Sequence, residues 1–485
     1  MKHGVTACIA WIFLLTLRLA VAGRLDDPWQ VTEHVGAFAA EPMLQEGYVD
    51  ARCPAGGPGE PLGLLEAIER SLCHNPKTQQ AWADLKAAAQ AVGVAKAAYL
   101  PTLDGSAQDI AEHVRTDILG QPNLDSNHND HAGTQTLTLN WVLFDFGARQ
   151  ADLTSARKLY TAAEANRTVA LQTAFLGAAK DYFTAQAGLF RWQAMARVQE
   201  AAQESYQAAR SRMERGSSPA ADVLQAQTAF VQAEYTRVKA EAGYRSAVGA
   251  LAVDMGEMPD QHLALPLPED KGELPAQLQS SITDLIAQAQ QDHPTVQAAR
   301  AQWESAQAKA DALRAQGWAT VSLIGQSSRN NSPTTTGVGQ PYYPAYTHDN
   351  YLGIKVDVPL FEGQGRGYKV RQALEQANSQ REAMQDAERQ VASSVWSSYQ
   401  ELLADSDNIK ITDEGLQTAR QAMTVMQARY RDGMSNIIEL LNVQQALARA
   451  EEQHVEALAD GYTARLQLAA SLGRIDLLSV SRERP

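Results

Sequence analysis

The stretch Tyr430-Arg431-Asp432-Gly433-Met434-Ser435-Asn436-Ile437-Ile438-Glu439-Leu440-Leu441 reads as a turn between two helical runs. Residues 366 to 431 before it hold no proline and are rich in Ala, Gln, Glu and Arg, a helical composition. A second helix-rich run continues to about Gly473. Glycine tolerates positive φ and a polar side chain caps, so Gly433 followed by Ser435 and Asn436 predicts a helix stop and a helix start. The turn has an echo 217 residues upstream, where Arg212-Met213-Glu214-Arg215-Gly216 precedes Ala221-Asp222-Val223-Leu224. At that offset Phe144 meets Phe361, Arg149 meets Arg366, Tyr182 meets Tyr399 and Arg212 meets Arg429. Leu224, Gln227, Glu234 and Gly256 meet Leu441, Gln444, Glu451 and Gly473. One gapless register from Phe144 to Gly256 is an internal duplication.

Each half repeats one order. A helix from about Leu62 to Ala98, broken near Asn75-Pro76, matches one from about Ile282 to Gln316, broken at His293-Pro294. Strand-like stretches follow. Leu137, Leu139, Trp141 and Leu143 alternate with polar residues, as do Leu352, Ile354, Val356, Val358 and Leu360. Partner strands fall at roughly 102 to 114 and 318 to 329, with polar loops between, including Asn123 to His131 and Asn330 to His348. Two hairpins cannot satisfy their edges alone. They pair either as a small half-exposed sheet in a soluble domain or, given the export signal described below, as part of a transmembrane barrel shared among copies.

Long helices come next. Ala148 to Glu214 has 67 residues and no proline, about 100 Å if continuous. Gly177 and Gly188, and the acidic stretch Asp405 to Gly415, predict interruptions midway. The returning helices carry two adjacent heptad rows, Val223, Phe230, Tyr244, Leu251 beside Leu224, Val231, Val238, Ala252. The second half repeats this layout with Leu440, Leu447, Leu468 beside Leu441, Ala448, Val455. Two rows suit a helix flanked on both sides, as in a tube; a plain coiled-coil hairpin is the other reading.

The domain plan is therefore an export signal at 1–22, an arm at 23–61, a first repeat at 62–256 and a Pro-rich linker at 257–281. A second repeat fills 282–473 and a tail 474–485, with strand hairpins at about 102–145 and 318–361. The signal rests on Lys2 and His3, an apolar run from Val5 to Ala20, and Ala20-Val21-Ala22 as cleavage site. No other stretch is long and apolar enough for a membrane helix. Removing the signal takes away Cys8 and leaves Cys53 and Cys73, which in an oxidising compartment make either one structural disulfide or two thiols.

A net charge of −14 argues against a general nucleic-acid partner. There is no G-x-S-x-G, H-E-x-x-H, Walker loop or C-x-x-C, so neither an enzyme nor a cofactor site is expected. His128 and His131 read as residues of a solvated loop, not a metal site.

An export signal, a twofold repeat, two strand hairpins and helical hairpins turning at Gly216 and Gly433 resemble the TolC family of outer-membrane export channels. The residues carrying the resemblance are Leu100-Pro101-Thr102-Leu103, Leu143-Phe144-Asp145-Phe146-Gly147 and Pro359-Leu360-Phe361-Glu362-Gly363, besides the tips. Cys73-His74-Asn75-Pro76 followed by Ala81-Trp82-Ala83 resembles the branch serving type I secretion of large toxins. The resemblance implies a mainly α homotrimer, each chain giving about four strands to one barrel in the outer membrane and its helices to one α-helical tunnel across the periplasm. It implies two partners, a periplasmic adaptor and an inner-membrane ABC exporter or proton-driven pump. At the closed tip it makes Tyr430 a tethering tyrosine, Asp222 its acidic partner and Glu439 a pore acid. Ser435 stands where an arginine is expected and Asn442 where a second acid is expected. A secreted or surface coiled-coil structural protein is the second reading.

Overall fold

The computed structural model describes residues 29–32, 61–260, 263–266, 281–335, 337, 340, 342–432 and 434–474. The signal 1–22, most of the arm 23–61 and of the linker 257–281, the tail beyond 474, Cys53 and Gly433 lie outside the described residues. In chain order the elements are α1 (Leu64–His74), α2 (Pro76–Ala97), β1 (Thr102–Thr116), β2 (Ser126–Phe144), α3 (Ala148–Glu214) and α4 (Ala220–Asp254). The second half gives α5 (Ile282–Asp292), α6 (Pro294–Ala315), β3 (Thr320–Asn330), β4 (Thr334–Thr335), β5 (Tyr342–Tyr343), β6 (Thr347–Asp357), α7 (Gly365–Arg431) and α8 (Ile437–Ser471). Each helix of the first half has a mate of equal length. α1 and α5 have 11 residues, α2 and α6 have 22, α3 and α7 have 67, α4 and α8 have 35.

Local chemistry sets these ends. Asn75 and His293 each precede a proline, which excludes the helical ψ; they sit at ψ 126° and 130° and divide each first helix in two. Four long helices end alike, with an amide reaching back five residues along the turn: Ser217 N–H to Arg212 C=O, Glu257 to Ala252, Met434 to Arg429 and Arg474 to Ala469. Gly216 makes its turn possible at φ 73°.

The expected midway interruptions are absent. α3 and α7 run unbroken through Gly177, Gly188 and the 405–415 stretch. The two glycines serve close approach instead. A Cβ at Gly177 would lie 2.7 Å from Asp254 Oδ2, and one at Gly188 would lie 3.2 Å from Tyr244 Cα, so both let α4 pack closely on α3. The first polar loop is shorter than expected as well. Asn123 to His131 is mostly β2, paired with β1 as far as Thr116 opposite Ser126, so His128 and His131 lie on a strand opposite Val114 and Ala111. Ladder bonds join backbone groups, which need partners whatever the side chains are.

The chain forms two compact units. One comprises 86–160 and 304–378 and holds the strands. Its principal sheet has the order β1-β2-β3-β6, antiparallel throughout, so β2 and β3 join the two hairpins. Beside it, Ser155 and Ser305 share a buried 2.8 Å hydrogen bond, and Lys309 reaches Asp152 at 2.8 Å, tying α3 to α6. The other unit is helical, with its core in separate clusters. Ile68, Leu72 and Phe175 centre one, Tyr182, Leu251 and Met255 a second, and Val296 and Val395 a third. Cys73, in α1, is bonded in a disulfide; its expected mate Cys53 lies outside the described residues. No described helix is long and apolar enough to cross a membrane.

Candidate functional site

Residues opposite one another in an antiparallel ladder share a face, so the register sorts the four-stranded sheet into two sides. Leu103, Leu139, Gly325 and Leu352 form one row across the four strands; Trp141, Leu323 and Ile354 form the next, and Phe144, Val321 and Val356 the one after. A bulge between Val142 and Phe144 puts Phe144 in the last row, where simple alternation had placed Leu143. The opposite face carries Asp104, Thr138, Gln326 and Tyr351, then Ser322 and Lys355. There Tyr351 Oη donates to Gln326 Oε1 at 3.2 Å and Lys355 pairs with Asp357 at 2.9 Å. Leu352 and Ile354 are 70% and 69% exposed, an apolar surface that water does not favour. The apolar alternation from Leu352 to Leu360 spans nine residues, the length of a tilted membrane strand. Among the described strands nothing pairs with the outer edges of β1 and β6.

The corners from strand to helix repeat one device that sequence reading had not singled out. Arg149 Nε donates to Asp145 at 2.8 Å, while its Nη1 reaches the carbonyls of Val142 and Ala98 at 2.7 and 3.3 Å. In the second half Arg366 pairs with Glu362 and donates to the Gln316 carbonyl at 2.6 Å. Each arginine thus ties its corner to the end of the preceding helix. The repeat offset joining Arg149 to Arg366 was the available signal.

At the far ends of α3, α4, α7 and α8, an apolar cluster holds Ala209, Val223, Ala226, Met423, Tyr430, Ile437 and Leu440. Tyr430 is 8% exposed. The Arg212 guanidinium lies over its ring, 4.4 Å from the centroid, and Arg212 Nη2 donates to the Tyr430 carbonyl at 2.7 Å. Burial pushes the Tyr430 hydroxyl above the ordinary tyrosine range; Arg212 opposes the rise and the nearby Asp222 carboxylate adds to it. Asp222 itself accepts a hydrogen bond from Ser218 Oγ at 2.6 Å.

The sequence reading had given Asp222 and Glu439 different roles, yet they are mates in the 217-residue register, as are Ser218 and Ser435. Ser435 Oγ donates to Glu439 Oε2 at 2.7 Å, repeating the Ser218–Asp222 bond. Asn436 Oδ1 caps α8 by accepting from the Glu439 amide at 2.9 Å, and Asn436 Nδ2 donates to Glu439 Oε1 at 3.0 Å. The helix start expected at Ser435-Asn436 is thus made by Asn436; the Glu439 half of the Asn436-x-x-Glu439 signature was readable but not read. Arg212 had no such local signal, because its contact crosses to another helix. Asn442 is exposed on α8 six residues beyond the cap, Gly216 is exposed in its turn, and Gly433 is outside the described residues. Among the described residues no cluster of three or more His, Cys, Asp or Glu could hold a metal ion.

The family profile described as outer membrane efflux protein matches residues 67–257 and 285–474, one match to each repeat. Protein CyaE of Bordetella pertussis is 29% identical over 427 residues, which is 87% of this chain and 86% of that protein. Outer membrane protein TolC of Escherichia coli is 22% identical over 426 residues, 86% and 84% of the two chains. The crystal structure of the outer membrane protein VceC of Vibrio cholerae superposes with a TM-score of 0.70 at 19% identity, covering 85% of this chain and 97% of that one, a likeness of fold.

Proposed function

The chain belongs to the outer membrane efflux protein family, and from that membership we propose that three copies close a single duct. The protein is a TolC-type channel of the outer membrane, with its helical part in the periplasm. It is the exit duct of an export system serving type I secretion or efflux. A free-standing coiled-coil structural protein is thereby set aside.

The observation that carries the assembly is the sheet, apolar on one face and open at both edges. Unpaired strand edges are not tolerated in a bilayer core, so β1 of one copy pairs with β6 of the next until the ring closes. Four strands are too few for a barrel. Three copies, as the TolC resemblance implies, supply about twelve. The helices point the same way. On α4 the exposed residues Leu224, Val231 and Val238 recur every seven positions, and α7 exposes Ile411 and Val425, apolar surface that a second copy would cover. A periplasmic adaptor and an inner-membrane ABC exporter or proton-driven pump supply coupling and energy, and the duct itself turns over no substrate. At its closed end Tyr430 and Asp222 form a latch, and Glu439 from each copy lines the narrowest opening.

Mass measurement of the detergent-solubilised protein tests the copy number: three chains per particle are expected, and a monomer overturns the reading. Cysteines at 354 and 355 test the faces. An impermeant thiol reagent should label position 355, in the water-filled lumen, faster than position 354, in lipid. The reverse order would place the wrong face in the bilayer.

A further inference from the structure

At the end of α7 three neighbouring carbonyls are satisfied differently. Ala428 C=O accepts from the Asp432 amide and Arg429 C=O from the Met434 amide, both within their own turn. Tyr430 C=O instead accepts from Arg212, a side chain of the other helical hairpin. The last carbonyls of a helix lack partners of their own and carry its negative dipole end, so a guanidinium there is favoured twice. Its plane also covers the Tyr430 ring, which leaves it one position from which to donate. The repeat mate Arg429 makes no such crossing: its Nη2 stands 3.5 Å from Met434 C=O, within its own exposed turn.

Resting on the reading of this end as the closed end of the duct, we propose that Arg212 is a positioning residue that straps α7 to α3 and holds the resting tip shut. The geometry requires it. Moving α7 and α8 away from α3 and α4 separates Ala209 and Val223 from Met423 and Leu440, and it must also pull the guanidinium off both the ring and the carbonyl of Tyr430. The strap grips a backbone atom and the ring face, so it persists when the Tyr430 hydroxyl, which Arg212 also influences, is removed.

Planar-bilayer conductance of the full-length assembled protein tests the proposal, with trimers confirmed for each variant. Arg212→Gln should raise resting conductance several-fold, and should still do so in a Tyr430→Phe background, which keeps the ring and the carbonyl that Arg212 grips. Arg212→Lys, which keeps charge but not the planar fork, should fall between it and the parent; it replaces Arg212→Gln as the deciding variant if that protein fails to assemble. Arg429→Gln should conduct like the parent. Parent-level conductance in the assembled Arg212 variant, while Asp222→Ala leaks, overturns the strap and leaves the gate in place. Equal leakage from Arg429→Gln overturns it too, since loss of positive charge would then suffice. If no substitution at Arg212, Tyr430 or Asp222 alters conductance, the gate is elsewhere and the strap falls with it.

Discussion

The two helical turns are built from one pattern and stabilised by different chemistry. Both end a 67-residue helix with the same backbone motif, and both place a serine four residues before an acid. The α7–α8 turn adds Asn436 as a side-chain cap, whereas α4 starts after Pro219 with no side-chain cap. Tyr430 is buried beneath Arg212, while its mate Met213 is 37% exposed. Duplication thus preserved the backbone of the tip and left its side chains free to diverge, concentrating the anchoring in the second turn.

The largest expected contrast comes from the buried ring. Tyr430→Ala should cost about 3 kcal/mol in urea unfolding followed by helical ellipticity, because a large side chain leaves a packed cluster. Met213→Ala should stay within about 0.5 kcal/mol. Similar losses at both sites would mean that the two turns are equally anchored. The cap comes next: Asn436→Ala should cost about 1 kcal/mol, and Pro219→Ala clearly less.

Alkaline titration separates the turns by sign. The folded tyrosine holds its proton above the ordinary value, so its contribution is fully present below about pH 10 and is lost as pH rises through the higher folded value. Alkaline destabilisation attributable to Tyr430 should vanish in Tyr430→Phe, and no substitution at Met213 should mimic that. The smallest effect is the shared one. Ser218→Ala and Ser435→Ala each remove one bond to a carboxylate, part-buried at Ser218 and exposed at Ser435, and should each cost no more than about 0.5 kcal/mol. A clearly larger loss at one serine would break the equivalence of the two acids.

Helix ends were legible because glycine and proline punctuate them locally, as at Gly216, Asn75-Pro76 and His293-Pro294. The unbroken interiors were not. A glycine inside a helix reads as a weakness until the partner that needs its missing Cβ is seen, as Tyr244 does beside Gly188. Alternation revealed the faces of the strands, whereas the pairing of β2 with β3 joins residues nearly two hundred positions apart and leaves no local mark. The same holds at the tip. The family pattern brought Tyr430 into view, but Arg212 gains its meaning only where α3 and α7 meet.

The matched helix lengths make this a sequence that counts. Deleting one residue within α3 would shift everything beyond it by about 1.5 Å along the axis and turn it by about 100°. Ser205, which bonds to Gln444 on α8, would then face away from it, and Arg212 would no longer lie over Tyr430. α7 would keep its full length beside it. Substitutions can be absorbed one side chain at a time, but an insertion or deletion in one long helix requires an answering change in its mate, so the protein's tolerance for altered length lies in its loops.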